Sequence, residues 1–345
     1  MLCGDGEGRE RNQVGTQVRL LDGYGRQATD LRVSLTDRCN LRCSYCMPPE
    51  GLEWLPKPEV LTDAEVLRLV RIGVERLGVT EVRYTGGEPL LRRGLPDVIA
   101  GTAALSPRPE ISLTTNGIGL ARLAEPLREA GLDRVNVSLD TLDPVIFQRL
   151  AFRDRLPDVL EGLAAATAAG LAPVKVNTVL MRGVNEDEAV PLLRFCLEHG
   201  YLLRFIEQMP LDAQHGWNRA DMVTADEIQE RLAEEFALTP LPSAARGSAP
   251  AEEFAVEGST VGIIASVTRP FCGACDRVRL TADGQIRNCL FAREESNLRD
   301  ALRAGADDDE LAERWIAAVR AKRAGHGIDD PSFLQPDRPM SAIGG

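Results

Sequence analysis

Short apolar, β-rich runs alternate with amphipathic segments along the first two thirds of the chain. Between the first two runs, residues 63–78 place Val66, Val70 and Val74 on one helical stripe that Gly78 ends. A second helical pattern spans residues 157–170. The six apolar runs are Leu31 to Thr36, Glu81 to Thr85, Ile111 to Thr115, Arg134 to Leu139, Pro173 to Leu180 and Leu202 to Ile206. Strands that alternate with helices predict a parallel sheet with right-handed crossovers. Six such units predict an α/β fold of the partial (β/α)6 TIM-like barrel type, two units short of a closed barrel.

The composition changes at residues 241–258, LPSAARGSAPAEEFAVEG, which predicts a linker or long surface loop. Beyond it, short β-like runs at Val261 to Val267 and Arg277 to Thr281 precede a helical segment that carries Trp315. We therefore expect a flexible N-terminal tail at 1–15, a barrel domain at 16–240 and a C-terminal domain at 241–345.

Composition and charge narrow the possible partners. The 345 residues are 44% hydrophobic and 27% charged, as in ordinary globular proteins, and carry a net charge of -12. This charge disfavours nonspecific binding to nucleic acids or anionic membranes, so we expect neither as a partner. The sequence has neither a run of 18 apolar residues nor the apolar core of a signal peptide, which predicts a cytoplasmic protein. Any anionic substrate would need a local basic pocket.

Six of the eight cysteines form two trios. Cys39, Cys43 and Cys46 have the spacing C-x3-C-x2-C, and Cys272, Cys275 and Cys289 have the spacing C-x2-C-x13-C. Structural zinc takes four ligands, whereas three thiolates on an iron–sulfur cubane leave one iron with an open coordination position. The trios therefore favour clusters that each bind a small molecule. A noncatalytic, zinc-stabilised binding protein remains an alternative.

The remaining two cysteines have simpler interpretations. Cys196 lies in an apolar helical pattern and is predicted to be a core residue. Cys3 lies near the N-terminus, and we assign it no role.

Polar residues follow each predicted strand, where barrel enzymes carry their working groups. In order, the strands are followed by TDRCNLRCSYCMP, GGEP, TNG, SLD, MRGVN and EQMP. The sequence has no GxxxxGK[ST] motif, which excludes a P-loop NTPase. The first cysteine trio and the other polar loops are thus predicted to share one rim.

The C-x3-C-x2-C motif with Tyr45 before its last cysteine, followed by GGEP after the second strand, resembles the radical S-adenosylmethionine superfamily. Longer strings are similar to those superfamily members that cyclise GTP in the first step of molybdenum cofactor biosynthesis. These strings are DLRVSLTDRCNLRCSYCMPPEG, RYTGGEPLLRR, LTTNG, RVNVSLDTLD, RFIEQMP and FCGACDRVRLTADG. The resemblance extends from about Gly23 to Gly345.

The resemblance implies a lyase with two [4Fe-4S] clusters and S-adenosylmethionine as cofactors. S-adenosylmethionine would bind the open iron of the first cluster, and its reductive cleavage would give a 5′-deoxyadenosyl radical. This radical would take the hydrogen from C3′ of GTP, after which C3′ bonds to C8. The product would be (8S)-3′,8-cyclo-7,8-dihydroguanosine 5′-triphosphate. The open iron of the second cluster would bind the guanine.

The resemblance also implies roles for individual residues. The six cysteines of the two trios would bind iron. S-adenosylmethionine would be contacted by Tyr45, Gly86, Gly87, Glu88, Ser138 and Met209. GTP would be contacted by Arg32, Arg83, Thr114, Lys175, Arg277, Val278 and Arg279. Because a triphosphate carries several charges, converging guanidinium groups are the expected partners in an acidic protein without a P-loop. The terminal Gly344 and Gly345 would enter the active site as an activating tail.

One position departs from the family pattern. Glu81 stands where lysine is common, which would weaken a phosphate pocket unless Arg92 or Arg93 turns inward. The resemblance further implies a homodimer that passes its product to the next pathway enzyme, cyclic pyranopterin monophosphate synthase. A second alternative is a peptide-modifying radical enzyme, although such enzymes commonly carry more cysteines in their C-terminal extension.

Overall fold

The computed structural model describes residues 19–242 and 246–344. The predicted 1–15 tail, Cys3 and Gly345 lie outside the described residues. The strands are β1 Asp30–Ser34, β2 Glu81–Thr85, β3 Glu110–Thr115, β4 Arg134–Ser138, β5 Lys175–Val179, β6 Leu202–Ile206, β7 Thr239–Pro240, β8 Glu252–Val256, β9 Ser259–Ile264, β10 Arg277–Leu280, β11 Gln285–Arg287 and β12 Ser296–Asn297. The helices are α1 Asp63–Arg71, α2 Leu95–Ala103, α3 Leu120–Glu129, α4 Pro144–Ala151, α5 Leu156–Ala168, α6 Ala189–His199, α7 Ala225–Ala233, α8 Arg299–Arg303, α9 Asp308–Arg320 and α10 Met340–Ile343.

All the strands belong to one sheet in the order β12-β11-β10-β1-β2-β3-β4-β5-β6-β9-β8-β7. Strands β1 to β6 pair in parallel with their neighbours in sequence, which confirms the predicted partial barrel. Two further strands extend the parallel run, with β10 beside β1 and β9 beside β6. Within the described ranges β9 and β10 do not pair with each other, so the barrel stays open there.

Part of the predicted linker is a strand. β8 pairs antiparallel with β9 through a turn at Glu257 and Gly258, both of which have positive φ. Phe254 and Val256 are buried while Glu253 is exposed, which is the alternation expected of an antiparallel strand with one covered face. The prediction of a loop across 241–258 was therefore wrong for residues 252–256. The Pro- and Ser-rich composition of the preceding residues hid this short alternating run.

The apolar core lies between the sheet and its helices. In β1, Leu31 and Val33 are fully buried in this outer layer, whereas Asp30 and Arg32 alternate with them and face the barrel interior. The predicted helix at 63–78 begins at a Thr62–Glu65 capping box and continues beyond α1 as a π-helical segment at Ile72–Arg76. Cys196 is fully buried, which confirms its predicted core position.

Among the described residues, the longest apolar helices fall short of what is needed to cross a bilayer.

Candidate active site

The interior of the barrel is lined by positive charge. The basic side chains at inward-facing strand positions include Arg32, Arg83, Arg134, Lys175, Arg204, Arg277, Arg279 and, opposite Arg279, Arg287. Arg32, Arg83, Arg204, Arg277 and Arg279 line one cavity. Barrel interiors are usually filled by branched apolar side chains. Here the interior instead has the chemistry of an anion-binding site.

One buried carboxylate faces several of these cations. Asp30 Oδ2 lies 3.7 Å from Arg32 Nε, 3.7 Å from Arg83 Nη2 and 3.8 Å from Arg277 Nε. These distances are too long for hydrogen bonds, and Asp30 Oδ1, Arg32 Nε and Arg277 Nε are buried without a hydrogen-bond partner. The arginines thus keep donor capacity and positive charge for a further anion.

The pKa values report this excess of positive charge. Burial and the neighbouring Arg83 hold the pKa of Arg32 well below its ordinary value. Burial, followed by repulsion from other arginines, lowers the pKa of Arg204 to about 9 and that of Lys175 to about 8. For Asp30, burial would raise the pKa, but the surrounding arginines bring it below its usual range. A polyanion bound among these groups would relieve their mutual repulsion.

Arg204 is a cation of the cavity lining that the sequence did not lead us to predict as a site residue. Its guanidinium donates to Asn177 Oδ1 at 3.0 Å and to Asn136 Oδ1 at 2.9 Å. Both partners are neutral, so its charge has no carboxylate partner in the described part of the chain. In the run LLRFI, Leu203 and Phe205 face the core, and this alternation alone places Arg204 inside the barrel.

The first cysteine trio lies on the loop after β1. This loop includes a tight turn in which Cys46 N–H donates to the Cys43 carbonyl at 2.8 Å. Burial raises the pKa of Cys43 and Cys39, and that of Cys46 to about 12. Asp140, Glu88 and Asp212 add negative charge near these thiols and raise the values further. Iron that binds these sulfurs takes the place of the thiol protons, and its positive charge would stabilise the buried thiolates.

The TGGEP turn, residues 85–89, is hydrogen-bonded to the backbone of this loop. Gly87 N–H donates to the Thr36 carbonyl and Glu88 N–H to the Arg38 carbonyl, both at 2.7 Å. A Cβ on Gly86 would lie 2.4 Å from the Thr36 carbonyl oxygen, and a Cβ on Gly87 would lie 2.4 Å from those of Asp37 and Arg38. Only glycine permits this close approach. The turn therefore fixes the backbone that leads into Cys39.

The Glu88 carboxylate is fully buried and has protein partners for both oxygens. Oε1 accepts from Leu90 N–H and the Thr115 hydroxyl, and Oε2 accepts from Asn116 N–H. Burial outweighs these bonds and raises its pKa to about 7. Asn116 in turn donates to Asn40 Oδ1 at 2.7 Å, beside Cys39. Through these hydrogen bonds Glu88 connects the loops that follow β1, β2 and β3.

The second trio closes the open side of the barrel. Cys272 and Cys275 lie on the loop between β9 and β10, Cys289 follows β11, and all three line the same cavity as the arginines. Although burial would raise the pKa of Cys275, Lys322 and Arg277 bring it below its ordinary value. In the described residues no three His, Cys, Asp or Glu side chains are arranged around a single metal ion. Three thiols without a carboxylate or imidazole are the donors that iron–sulfur clusters use.

The C-terminal segment enters the barrel. Ser341 in α10 lies beside the Cys46 thiol, and the Gly344 carbonyl accepts a hydrogen bond from Arg279. A Cβ on Gly344 would lie 2.7 Å from Thr85 Cγ2 and 3.2 Å from Ser34 Cβ. Gly344 therefore occupies a narrow gap above β1 and β2.

The structure brings most of the sequence-predicted residues to one cavity. Its lining includes Arg32, Tyr45, Arg83, Thr114, Ser138, Met209, Cys272, Cys275, Arg277, Arg279 and Cys289. It does not include Cys39, Cys43, Cys46, Gly86, Gly87, Glu88, Lys175 or Val278. Val278 is buried in the outer core because it alternates with its two arginine neighbours. Besides Arg204, the sequence interpretation missed Asp140, which accepts a hydrogen bond from the Tyr45 hydroxyl at 2.8 Å.

Glu81 turns towards another arginine. Its carboxylate lies 3.6 Å from Arg134 Nη2, which shares the inward face of the sheet. Arg92 does not compensate from the cavity side: it donates to the carbonyls of Leu35 and Leu61 at 2.7 and 2.8 Å. Arg93 is exposed. Neither Arg92 nor Arg93 therefore turns inward to compensate for Glu81.

Comparisons with known proteins agree with this geometry. The Radical SAM superfamily model matches residues 33–196, and the Molybdenum Cofactor Synthesis C model matches residues 201–328. In fold the chain resembles SuiB from Streptococcus suis in complex with S-adenosylmethionine, with a TM-score of 0.56 and 14% identity over 87% of this chain and 70% of that one. The fold and the first trio define a radical S-adenosylmethionine enzyme.

Proteins of similar sequence identify the family within the class of radical S-adenosylmethionine enzymes. The chain is 65% identical to the GTP 3′,8-cyclase of Streptomyces coelicolor, over 98% of this chain and 99% of that protein. It is 64% identical to that of Mycolicibacterium smegmatis (94% and 92% covered) and 60% identical to that of Corynebacterium glutamicum (94% and 89% covered). The chain belongs to the GTP 3′,8-cyclase family. The likeness to SuiB, which also has a structure with a precursor peptide, shows the fold alone and does not favour a peptide substrate.

We predict that Gly87→Ala lowers iron retention at the first trio by more than half, because its Cβ would collide with the carbonyls that precede Cys39. Iron and sulfide per chain measure the effect after anaerobic reconstitution. Gly23→Ala is the matched control, since its Cβ would lie 3.6 Å from the nearest atom outside its chain neighbours. Equal iron in both variants would contradict the assigned role of the turn.

Proposed function

We propose that the chain converts GTP into (8S)-3′,8-cyclo-7,8-dihydroguanosine 5′-triphosphate, using S-adenosylmethionine, as the first step of molybdenum cofactor biosynthesis. The observation that carries this proposal is a single cavity lined by buried arginines, two of which have an Nε without a hydrogen-bond partner, and by the second cysteine trio. The loop of the first trio contributes Tyr45 to the same lining. Membership of the GTP 3′,8-cyclase family supports the same reaction.

Cys39, Cys43 and Cys46 would hold a [4Fe-4S] cluster that, once reduced and bound to S-adenosylmethionine, supplies the radical for hydrogen removal at C3′. Tyr45, Ser138 and Met209 face the cavity and would contact S-adenosylmethionine directly. The hydrogen bond from Tyr45 to Asp140 fixes the ring at the cavity wall.

Gly86, Gly87 and Glu88 have a different role in this proposal. They lie behind the loop of the first trio, and their hydrogen bonds set its backbone. The Glu88 oxygens are already engaged by Leu90, Thr115 and Asn116, so we assign Glu88 to positioning of the loop rather than to direct contact with the ammonium group of S-adenosylmethionine.

Cys272, Cys275 and Cys289 would hold a second [4Fe-4S] cluster, whose open iron supplies a coordination site for guanine. Support comes from their place in the lining of the same cavity as Tyr45, Ser138 and the arginines. With guanine on this side, the ribose of GTP would face the first trio.

The buried cations would bind the triphosphate. Arg32, Arg83, Arg277 and Arg279 line the cavity, and Arg204 joins them between two asparagines. Thr114 also lines it, while Lys175 lies on the inward face of β5, two residues before Asn177. Arg134 shares this face, but it is paired with the carboxylates of Glu81 and Glu110. Guanidinium forks match phosphate oxygens in geometry as well as charge.

The proposal extends to the next enzyme of the pathway, the compartment and the oligomeric state. The product would pass to cyclic pyranopterin monophosphate synthase in the cytoplasm, and the enzyme would act as a homodimer. The product retains the triphosphate, so the next enzyme must accept a polyanion.

Anaerobic turnover with 3′-deuterated GTP, S-adenosylmethionine and dithionite tests the function. We expect a nucleotide isomer of GTP that separates from it chromatographically, together with 5′-deoxyadenosine that carries one deuterium. Cys39→Ala should abolish both products, whereas Cys196→Ala, in the outer core, should retain them. Release of 5′-deoxyadenosine without deuterium and without a new nucleotide would refute GTP as the substrate.

We expect Cys272→Ala to uncouple the reaction. Because the first trio is intact, 5′-deoxyadenosine should still form, while the cyclised nucleotide falls at least tenfold and iron per chain falls by about half, as two equal clusters require. Liquid chromatography and iron analysis measure these quantities. Full cyclisation in this variant would remove the second trio from the mechanism.

Arg204→Gln should weaken GTP binding. Loss of one charge-assisted hydrogen bond costs about 1.5–3 kcal/mol, which corresponds to roughly a tenfold to hundredfold higher Kd. Anaerobic calorimetry at low and high salt measures this, and the difference should shrink with salt as screening increases. Arg155→Gln removes an arginine that pairs with Asp158 at the surface and should leave the Kd unchanged. An unchanged Kd for Arg204→Gln would exclude it from the phosphate site.

A further inference from the structure

Lys322 is a buried lysine that points at a cysteine of the second trio. It follows α9, and it is 6% exposed. Its ammonium donates to Cys275 Sγ at 3.3 Å, to the Cys275 carbonyl at 3.2 Å and to the Arg277 carbonyl at 2.9 Å. All three donors of the ammonium are therefore directed at the segment that carries Cys275.

The Lys322 ammonium has no carboxylate within salt-bridge distance in residues 19–242 and 246–344. Arg26, which holds the same loop by donating to the Cys272 carbonyl, is compensated by Asp22. A buried charge without a partner is costly, so Lys322 needs negative charge from elsewhere. The Cys275 sulfur is the one acceptor at its ammonium that becomes negative when it binds metal.

The charges around the two trios have opposite signs. Near the first trio lie the carboxylates of Glu88, Asp140 and Asp212, with Arg42 as the main cation. Near the second trio lie the cations Lys322, Arg277 and Arg26. Lys322 acts on all three thiols of this trio.

We propose that Lys322 is a positioning residue of the second cluster that sets its reduction potential, through its charge and its hydrogen bond to the Cys275 sulfur. This inference rests on the proposed second cluster. Adding one electron to a cluster adds one negative charge, which a fixed cation at a ligand sulfur stabilises. Hydrogen bonds to ligand sulfurs and local charge are established determinants of cluster potential. The second cluster therefore has a higher potential than it would have without Lys322.

The test isolates the second cluster in a full-length chain with Cys39, Cys43 and Cys46 changed to Ala. Into this background we introduce Lys322→Met, which keeps the chain length but removes the charge, and Lys322→Arg, which keeps the charge. Arg92→Met is the matched control, because it removes a mostly buried arginine that contacts neither trio. Iron per chain is measured first, and a redox titration monitored by electron paramagnetic resonance follows.

We expect Lys322→Met to lower the ratio of reduced to oxidised cluster at a fixed applied potential by about tenfold, equivalent to 59 mV for one electron. Lys322→Arg and Arg92→Met should stay near the parent value. An unchanged ratio in Lys322→Met, or an equal change in Lys322→Arg or Arg92→Met, would overturn the proposal.

Iron content separates the remaining outcomes. Loss of iron in Lys322→Met but not in Lys322→Arg would support a role of the charge. Loss in both would show that Lys322 only packs the loop and would overturn the proposal. A parent chain without iron would refute the second cluster itself, which is distinguishable from a failure of Lys322 alone.

Discussion

Buried positive charge is the constraint on which the rest of this structure depends. The interior arginines cannot pack as apolar residues do, and the nearby carboxylates, Asp30 among them, offset only part of their charge. The apolar core is therefore confined to the outer faces of the strands, where Leu31 and Val33 lie. The interior remains polar and able to accept an anion.

The first cysteine loop is positioned by backbone contacts rather than by its own side chains. Gly87 and Glu88 donate to carbonyls just before Cys39, and the Glu88 carboxylate reaches the loop after β3 through Asn116. Loops from β1, β2 and β3 thus form one interlocked unit. This explains the order Gly86-Gly87-Glu88. The two glycines allow the turn to approach the backbone of the cysteine loop closely. The glutamate accepts the N–H groups of Leu90 and Asn116, which would otherwise lack a partner.

Local patterns in the sequence were enough to predict the six central strands and the two trios. They were not enough for contacts between distant segments. The pairing of β10 with β1 joins residues far apart in the chain, and no local pattern encodes it. Arg204 was predictable from alternation in LLRFI but was hidden among apolar neighbours. The partners of Glu88 and of Lys322 could not be foreseen, because a buried polar group is satisfied by whichever segment the fold places beside it.

The C-terminal segment has a consequence for the order in which the protein is made. Cys39, Cys43 and Cys46 leave the ribosome early, whereas Ser341 and Gly344, which lie against Cys46 and between Ser34 and Thr85, are made only after the strands of the barrel. During translation the first trio is therefore uncovered, and oxygen or foreign metal ions can reach its thiols. The segment that covers Cys46 joins the barrel after its strands, so a cluster delivered before that step meets an open loop.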